Sequence, residues 1–131
     1  MNIDLLKQVV TEQSVRTIPD DYIPRTVFEL VRPLRLNKEI IIITGIRRCG
    51  KSTLLQKIRS EANEKDYYLN FEDDRLINFT INDFQLLVEV FMALFGSQKT
   101  FYFDEIQNIP DWERFVRPLR ASDSETKIWY N

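Results

Sequence analysis

An α/β fold built on a mainly parallel sheet is what this 131-residue sequence predicts, and three observations carry the prediction. Short apolar or aromatic runs alternate with longer segments in helical spacing, the order that gives parallel strands joined by crossover helices. One run, Ile40-Ile41-Ile42-Ile43, shows no polar alternation, as a strand covered on both faces would. Two of the runs end abruptly in chemistry-bearing residues, at Thr44-Gly45 and at Asp104-Glu105, the carboxyl edge where such sheets bind ligands.

Each element has its own local signal. Residues 2–12 place Ile3, Leu6 and Val10, with Leu5 and Val9, at helical intervals, predicting an amphipathic helix that docks on the core or on a partner. Residues 16–24 read as a loop. A second helix starts at Pro24, a good first-turn residue, and runs through Thr26, Val27, Phe28, Leu30 and Val31 until Pro33 breaks it. The isoleucine strand and a glycine turn follow, then a helix from Ser52 through Leu54, Leu55 and Ile58 into the charged stretch 61–66. Residues 67–71 form the next strand candidate, with Glu72, Asp73, Asp74 and Arg75 as the loop after it.

Thr80, with Asp83 three residues on, predicts a helix start, and Phe84, Leu87, Val88, Phe91, Leu94 and Phe95 continue the buried face until Gly96 stops it. Residues 100–103 are an aromatic strand. Asp111 caps a helix expected to end near Arg117, before Pro118, and residues 127–130 begin one more strand. There is no internal repeat and no low-complexity linker. The chain divides into an N-terminal helical segment, 1–37, and an α/β core, 38–131.

Composition narrows the function. With 44% hydrophobic and 12% aromatic residues the chain can bury a core, and a net charge of −2 provides no global field for nucleic acid or acidic membranes. The longest aliphatic run falls far short of the roughly 20 residues that span a bilayer, and the start does not read as a signal peptide, so a cytoplasmic location with no membrane partner is expected. One cysteine allows no internal disulfide, and the absence of histidine excludes a typical zinc site and a histidine-based triad.

The run Gly45-Ile46-Arg47-Arg48-Cys49-Gly50-Lys51-Ser52-Thr53 fits G-x-x-x-x-G-K-[ST], between a strand and a helix. Gly45 and Gly50 let backbone N–H groups approach a polyphosphate closely, and the helix start adds partial positive charge. Lys51 would meet the β- and γ-phosphates as a point charge. The Ser52 hydroxyl is an oxygen ligand of the kind Mg²⁺ prefers. Cys49 fills an x position, and its place at an electropositive helix start leaves redox sensitivity as a second reading. A glycine turn with a surface lysine is the bland alternative, and the flanking strand and helix weigh against it.

The second site is Asp104-Glu105 at the end of the aromatic strand. Asp104 would hold Mg²⁺ through its water shell, and Glu105 would orient and polarise the attacking water, because phosphoryl transfer depends on positioning and charge stabilisation. Alone, two acids after a strand are an ordinary strand end; paired with the phosphate loop they complete a nucleotide site.

At this point the chain resembles the prokaryotic AAA-type P-loop ATPases whose full-length members join an ATPase domain to a C-terminal nuclease-like domain. The matching residues are Tyr22-Ile23-Pro24-Arg25, the segment from Ile42 to Leu55, Tyr68-Leu69-Asn70-Phe71-Glu72-Asp73, and Phe103-Asp104-Glu105-Ile106-Gln107-Asn108-Ile109-Pro110-Asp111-Trp112-Glu113. The resemblance implies a three-layer P-loop NTPase fold, ATP rather than GTP, Mg²⁺, and oligomeric action or a further C-terminal domain. It implies too that the sheet is incomplete at the C-terminus: the family's fifth strand, arginine finger and helical lid have no match here, and Asn131 falls near its sensor position. On that reading the chain is the N-terminal part of a larger ATPase, and the loss of the fifth strand leaves the isoleucine strand on an edge.

Three features have two readings each. Glu72, Asp73 and Asp74 shape the surroundings of Mg²⁺ or form a solvated acidic loop. Ile23, Pro24 and Arg25 line an adenine pocket or simply start a helix. Arg47 and Arg48 touch phosphate or a neighbouring subunit, or are solvated charge. The leading function is an ATPase that couples Mg-ATP hydrolysis to conformational change, with nucleic acid or protein as the object acted on. Against it stand a nucleotide-binding module without turnover and a small-molecule P-loop kinase, which the glutamate beside Asp104 disfavours.

Overall fold

The computed structural model of the chain describes residues 1–15, 40–42, 51–61, 65–122 and 125–130, with the backbone alone at 40–42, 51–54 and 122. The expected helix from Pro24, the residues Tyr22 to Arg25 and Asn131 lie outside the described residues. The elements are α1 (Ile3–Gln13), β1 (Ile40–Ile42), α2 (Lys51–Glu61), β2 (Tyr67–Asn70), α3 (Phe84–Phe95), β3 (Thr100–Asp104), α4 (Glu113–Ser122) and β4 (Lys127–Tyr130). Short 3₁₀ turns at Asp74–Leu76, Ile81–Asp83 and Ile106–Asn108 link them.

The four strands form one sheet in the order β1-β4-β3-β2, every neighbouring pair parallel. Alternation along the strands assigns each side chain to a face. Tyr67, Leu69, Phe101, Phe103 and Ile128 join the main core with Leu6, Val9 and Val10 of α1, Phe84, Leu87 and Phe91 of α3, and Val116 of α4. Tyr68, Tyr102 and Trp129 belong to the opposite face, where Arg59 of α2 lies over the rings of Tyr68 and Tyr102 at 4.4 and 5.9 Å. Helices cover both faces, the three-layer α/β arrangement that the sequence predicts.

α1 begins where Asn2 accepts hydrogen bonds from the N–H groups of Asp4 and Leu5, at 2.8 and 3.3 Å. It docks on the core. Its last residue also protects the outer edge of the sheet: Gln13 Oε1 accepts from the Asn70 N–H at 2.7 Å, and Nε2 donates to the Asn70 carbonyl at 3.3 Å. One side-chain amide thus pairs β2 as a neighbouring strand would, blunting an edge that otherwise presents free backbone groups.

Three boundary expectations are corrected. α3 starts at Phe84, one turn later than Thr80 suggests, because residues 81–83 wind as a 3₁₀ turn whose Asp83 carboxylate accepts from the Thr80 N–H at 2.8 Å. Its buried face is Phe84, Leu87, Val90 and Phe91, while Leu94 is exposed. α4 runs straight through Pro118 to Ser122. At its sixth residue the proline removes one helical hydrogen bond, and the apolar stripe of Phe115, Val116 and Leu119 against the core outweighs that loss. Asp111 adopts a left-handed backbone (φ 64°), and it is its carbonyl that accepts from the Arg114 N–H at 3.0 Å as the turn begins. Gly96 ends α3 as expected, with φ 72°.

Candidate functional site

Asp104 is the last residue of β3 and is fully buried. Its backbone carbonyl accepts from the Phe71 N–H at 2.9 Å, carrying the β2–β3 ladder one step past Asn70. Its side chain lies on the α2 face of the sheet, where Oδ2 accepts from the Tyr68 hydroxyl at 3.0 Å. A buried carboxylate needs such donors, because desolvation otherwise penalises its charged form. The same burial, with the Asp104 charge as second cause, pushes the Tyr68 hydroxyl well above the ordinary tyrosine range, so it acts as a donor throughout the physiological range.

Glu105 follows with a left-handed backbone, φ 55° and ψ 38°. For a residue with a Cβ this conformation costs about 1–2 kcal/mol, and strain of this kind persists where the surroundings over-determine it. The turn aims Glu105 out of the strand direction and leaves it only 6% exposed. Gln107 Nε2 donates to its Oε2 at 2.5 Å.

The remaining predicted residues divide in two. Gly45, Ile46, Arg47, Arg48, Cys49 and Gly50 lie outside the described residues. Lys51, Ser52 and Thr53 are the first three residues of α2. Connectivity relates them to the acids: β1 is parallel to β4 and β4 to β3, so the segment that leaves β1 toward α2 departs from the same carboxyl edge at which Asp104 and Glu105 stand.

Sequence reasoning missed the network behind Asp104. Arg59, with its side chain 2% exposed, donates to Asp66 through Nη2 at 2.9 Å and through Nε at 3.2 and 3.3 Å. Its Nη1 donates to Gln56 Oε1 at 3.0 Å, and Nη2 also reaches the Ser14 carbonyl at 3.3 Å. The helix that begins at Lys51 is thereby packed through Arg59 against Tyr68, which bonds Asp104, and is tied through the same arginine to the end of α1. A cleft of about 500 Å³ opens beside it, with Gln13, Gln56, Tyr68 and Asn70 among its lining residues. The spacing Gln56-x-x-Arg59 on one helix face was the available signal, hidden because a buried arginine looks like surface charge in a sequence.

Asp73 is half-buried and ion-paired with Arg75, not a freely solvated acid. Its carboxylate accepts from the Arg75 N–H and Nε, both at 3.0 Å, from Arg75 Nη2 at 2.8 Å and from Gln13 Nε2 at 3.1 Å. Arg75 Nη1 also meets Glu12 at 2.5 Å. The hydrogen bonds from Arg75 hold the Asp73 carboxyl well below the ordinary carboxylate range. A depressed folded-state value stabilises above the unfolded value, about pH 4, and that stabilisation is lost as pH falls toward the folded one. Asp73→Asn is therefore expected to cost up to about 1 kcal/mol at neutral pH, the difference from the parent narrowing below about pH 4 in thermal unfolding.

A parallel sheet with a G-x-x-x-x-G-K-S run between one strand and the next helix, and paired acids closing another strand, defines a P-loop NTPase module. The chain belongs to the AAA domain family, whose model matches residues 37–131. Over 85 residues it is 38% identical to an uncharacterized protein of Methanocaldococcus jannaschii, a stretch covering 64% of this chain and 19% of the relative. Over 92 residues it is 39% identical to an uncharacterized protein of Haemophilus influenzae, covering 63% of this chain and 22% of the relative. The chain thus spans about a fifth of the length of the curated relatives it matches. No solved structure matches it. Among the described residues no helix is long and apolar enough to cross a membrane.

Proposed function

We propose that this chain is an ATPase module that binds Mg-ATP and couples its hydrolysis to conformational change. The observation that carries the reading is the placement of Asp104 and Glu105, buried and adjacent, at the carboxyl end of β3, the edge from which the chain leaves β1 for α2. Gly45 to Gly50 would cradle the phosphates with backbone N–H groups, and Lys51 would neutralise the β- and γ-phosphates. Ser52 and Asp104 would hold Mg²⁺; one buried carboxylate and one hydroxyl suit a cation that keeps several waters and shares phosphate oxygens. When bound, the ion supplies charge neutralisation on the polyphosphate. Glu105 takes the proton of the attacking water, and its near-burial keeps bulk water from competing.

The division at residue 37 into an N-terminal helical segment and an ATPase core is part of this reading, supported by where the family match begins. So are a cytoplasmic location, action as a homo-oligomer or with a further C-terminal domain, and nucleic acid or protein as the object acted on. A second reading, nucleotide binding without turnover, draws on the Gln107 amide that holds the Glu105 carboxylate.

Thermal unfolding tests the binding step. Mg-ATP at 100 times its dissociation constant is expected to stabilise the chain by roughly 2.7 kcal/mol, moving Tm upward by several degrees. Lys51→Ala should weaken binding about 10- to 100-fold, the worth of a charged hydrogen-bonding group. No shift at millimolar nucleotide would remove the proposal, and unchanged affinity in Lys51→Ala would remove that residue from its role.

A further inference from the structure

We infer that Tyr68 is a positioning residue for Asp104, holding its carboxylate through the hydroxyl of a ring that α2 covers. The inference rests on the nucleotide reading above and assigns the site a residue outside the Gly45–Thr53 run and the Asp104-Glu105 pair. Three observations converge on it. Tyr68 is 5% exposed and sits on the strand next to Asp104, with Leu69 opposite Phe103 and Asn70 opposite Asp104 in the register, so its ring runs along the sheet toward the carboxylate. Its hydroxyl donates to Asp104 Oδ2 at 3.0 Å. The ring is clamped from above by the Arg59 guanidinium at 4.4 Å, itself fixed by Asp66 and Gln56.

The consequence is chemical. A carboxylate that offers one oxygen to a hydroxyl has the other directed by that bond, and partners behind a metal ligand set its orientation and basicity. Tyr68 touches neither nucleotide phosphates nor attacking water in this scheme; it acts only through Asp104. Because Arg59 lies over the ring of Tyr68, the helix that begins at Lys51 is packed against the residue that holds the acid on β3. Displacement of α2 by a bound polyphosphate would be felt at Asp104 through one tyrosine.

The test separates this role from a packing role by measuring metal dependence and not turnover. Binding of a fluorescent ATP analogue is followed in EDTA and over a Mg²⁺ titration for the parent chain, Tyr68→Phe, Asp104→Asn and the double variant. Phenylalanine keeps the ring under Arg59 and removes only the oxygen, and far-UV circular dichroism checks the fold. The expected result is unchanged affinity in EDTA for Tyr68→Phe, with the Mg²⁺ concentration at half-effect raised about 10-fold or more. Asp104→Asn removes the Mg²⁺-dependent gain, and adding Tyr68→Phe to it changes nothing further, as a pair acting in series requires.

A Mg²⁺ midpoint equal to the parent's would overturn the positioning role while leaving the nucleotide reading intact. So would a parallel loss of affinity in EDTA, which marks a packing defect, or an undiminished effect of Tyr68→Phe in the Asp104→Asn background. A parent chain that binds no nucleotide in either condition overturns the nucleotide reading and this inference with it.

Discussion

Arg59→Met is expected to destabilise the fold by about 3–5 kcal/mol, the typical cost of removing one partner of a buried ion pair. Both side chains of the Arg59–Asp66 pair are 2% exposed, so the Asp66 carboxylate would stay in a desolvated place without its guanidinium. The arginine also serves Gln56 and the Ser14 carbonyl and covers the Tyr68 ring, so one substitution loosens α2, the end of α1 and β2 together. Against a total stability of roughly 5–15 kcal/mol for a domain of this kind, that is a large fraction. Urea unfolding measures it. The double variant Arg59→Met with Asp66→Leu should recover much of the loss, since replacing both charges removes the stranded carboxylate. A loss under about 1 kcal/mol for the single variant would show that water reaches Asp66 and that the pair behaves as a surface one.

Elements with a local cause were legible in the sequence. β4 is found at the four residues read for it, and α1 within one residue at each end, because a strand of apolar residues and an amphipathic period of 3.6 are properties of neighbours in the chain. Gly96 announces the end of α3 because its positive φ is open to glycine at no steric cost. Pro118 misled because its local rule was overruled from a distance: the core contacts of Phe115, Val116 and Leu119 lie on both sides of it. Asp104 and Glu105 were legible as candidates from a strand ending in two acids. Tyr68, Gln56 and Arg59 were not, because their roles depend on which strand lies beside β3 and which helix face covers it. Long-range register creates that pairing, and one sequence holds no record of it. The same holds for Asp73, whose anchor on Gln13 joins residues 60 positions apart.

Glu105→Gln should keep ATP affinity within a few-fold and lower phosphate release by at least about 100-fold, the smaller end of what a positioned general base contributes. The substitution suits this site because it keeps the length and shape of the side chain while removing its charge and its basicity. Glutamine has the same length, its carbonyl oxygen still accepts from Gln107 Nε2, and the left-handed backbone at φ 55° is as accessible to it as to glutamate. A fold defect is therefore not the expected outcome, and a thermal unfolding midpoint close to the parent's would confirm that. What the amide cannot do is accept the proton that attacking water must lose, so chemistry should slow while the ground-state complex persists. Single-turnover release of phosphate, set beside binding of the same nucleotide, reads the two effects separately. Should release be equally slow in the parent and in Glu105→Gln while both bind Mg-ATP, the binding-only reading with Glu105 held by Gln107 replaces the ATPase. Should the parent turn over at several per second and the variant match it, Glu105 is not the base and the proton acceptor lies elsewhere.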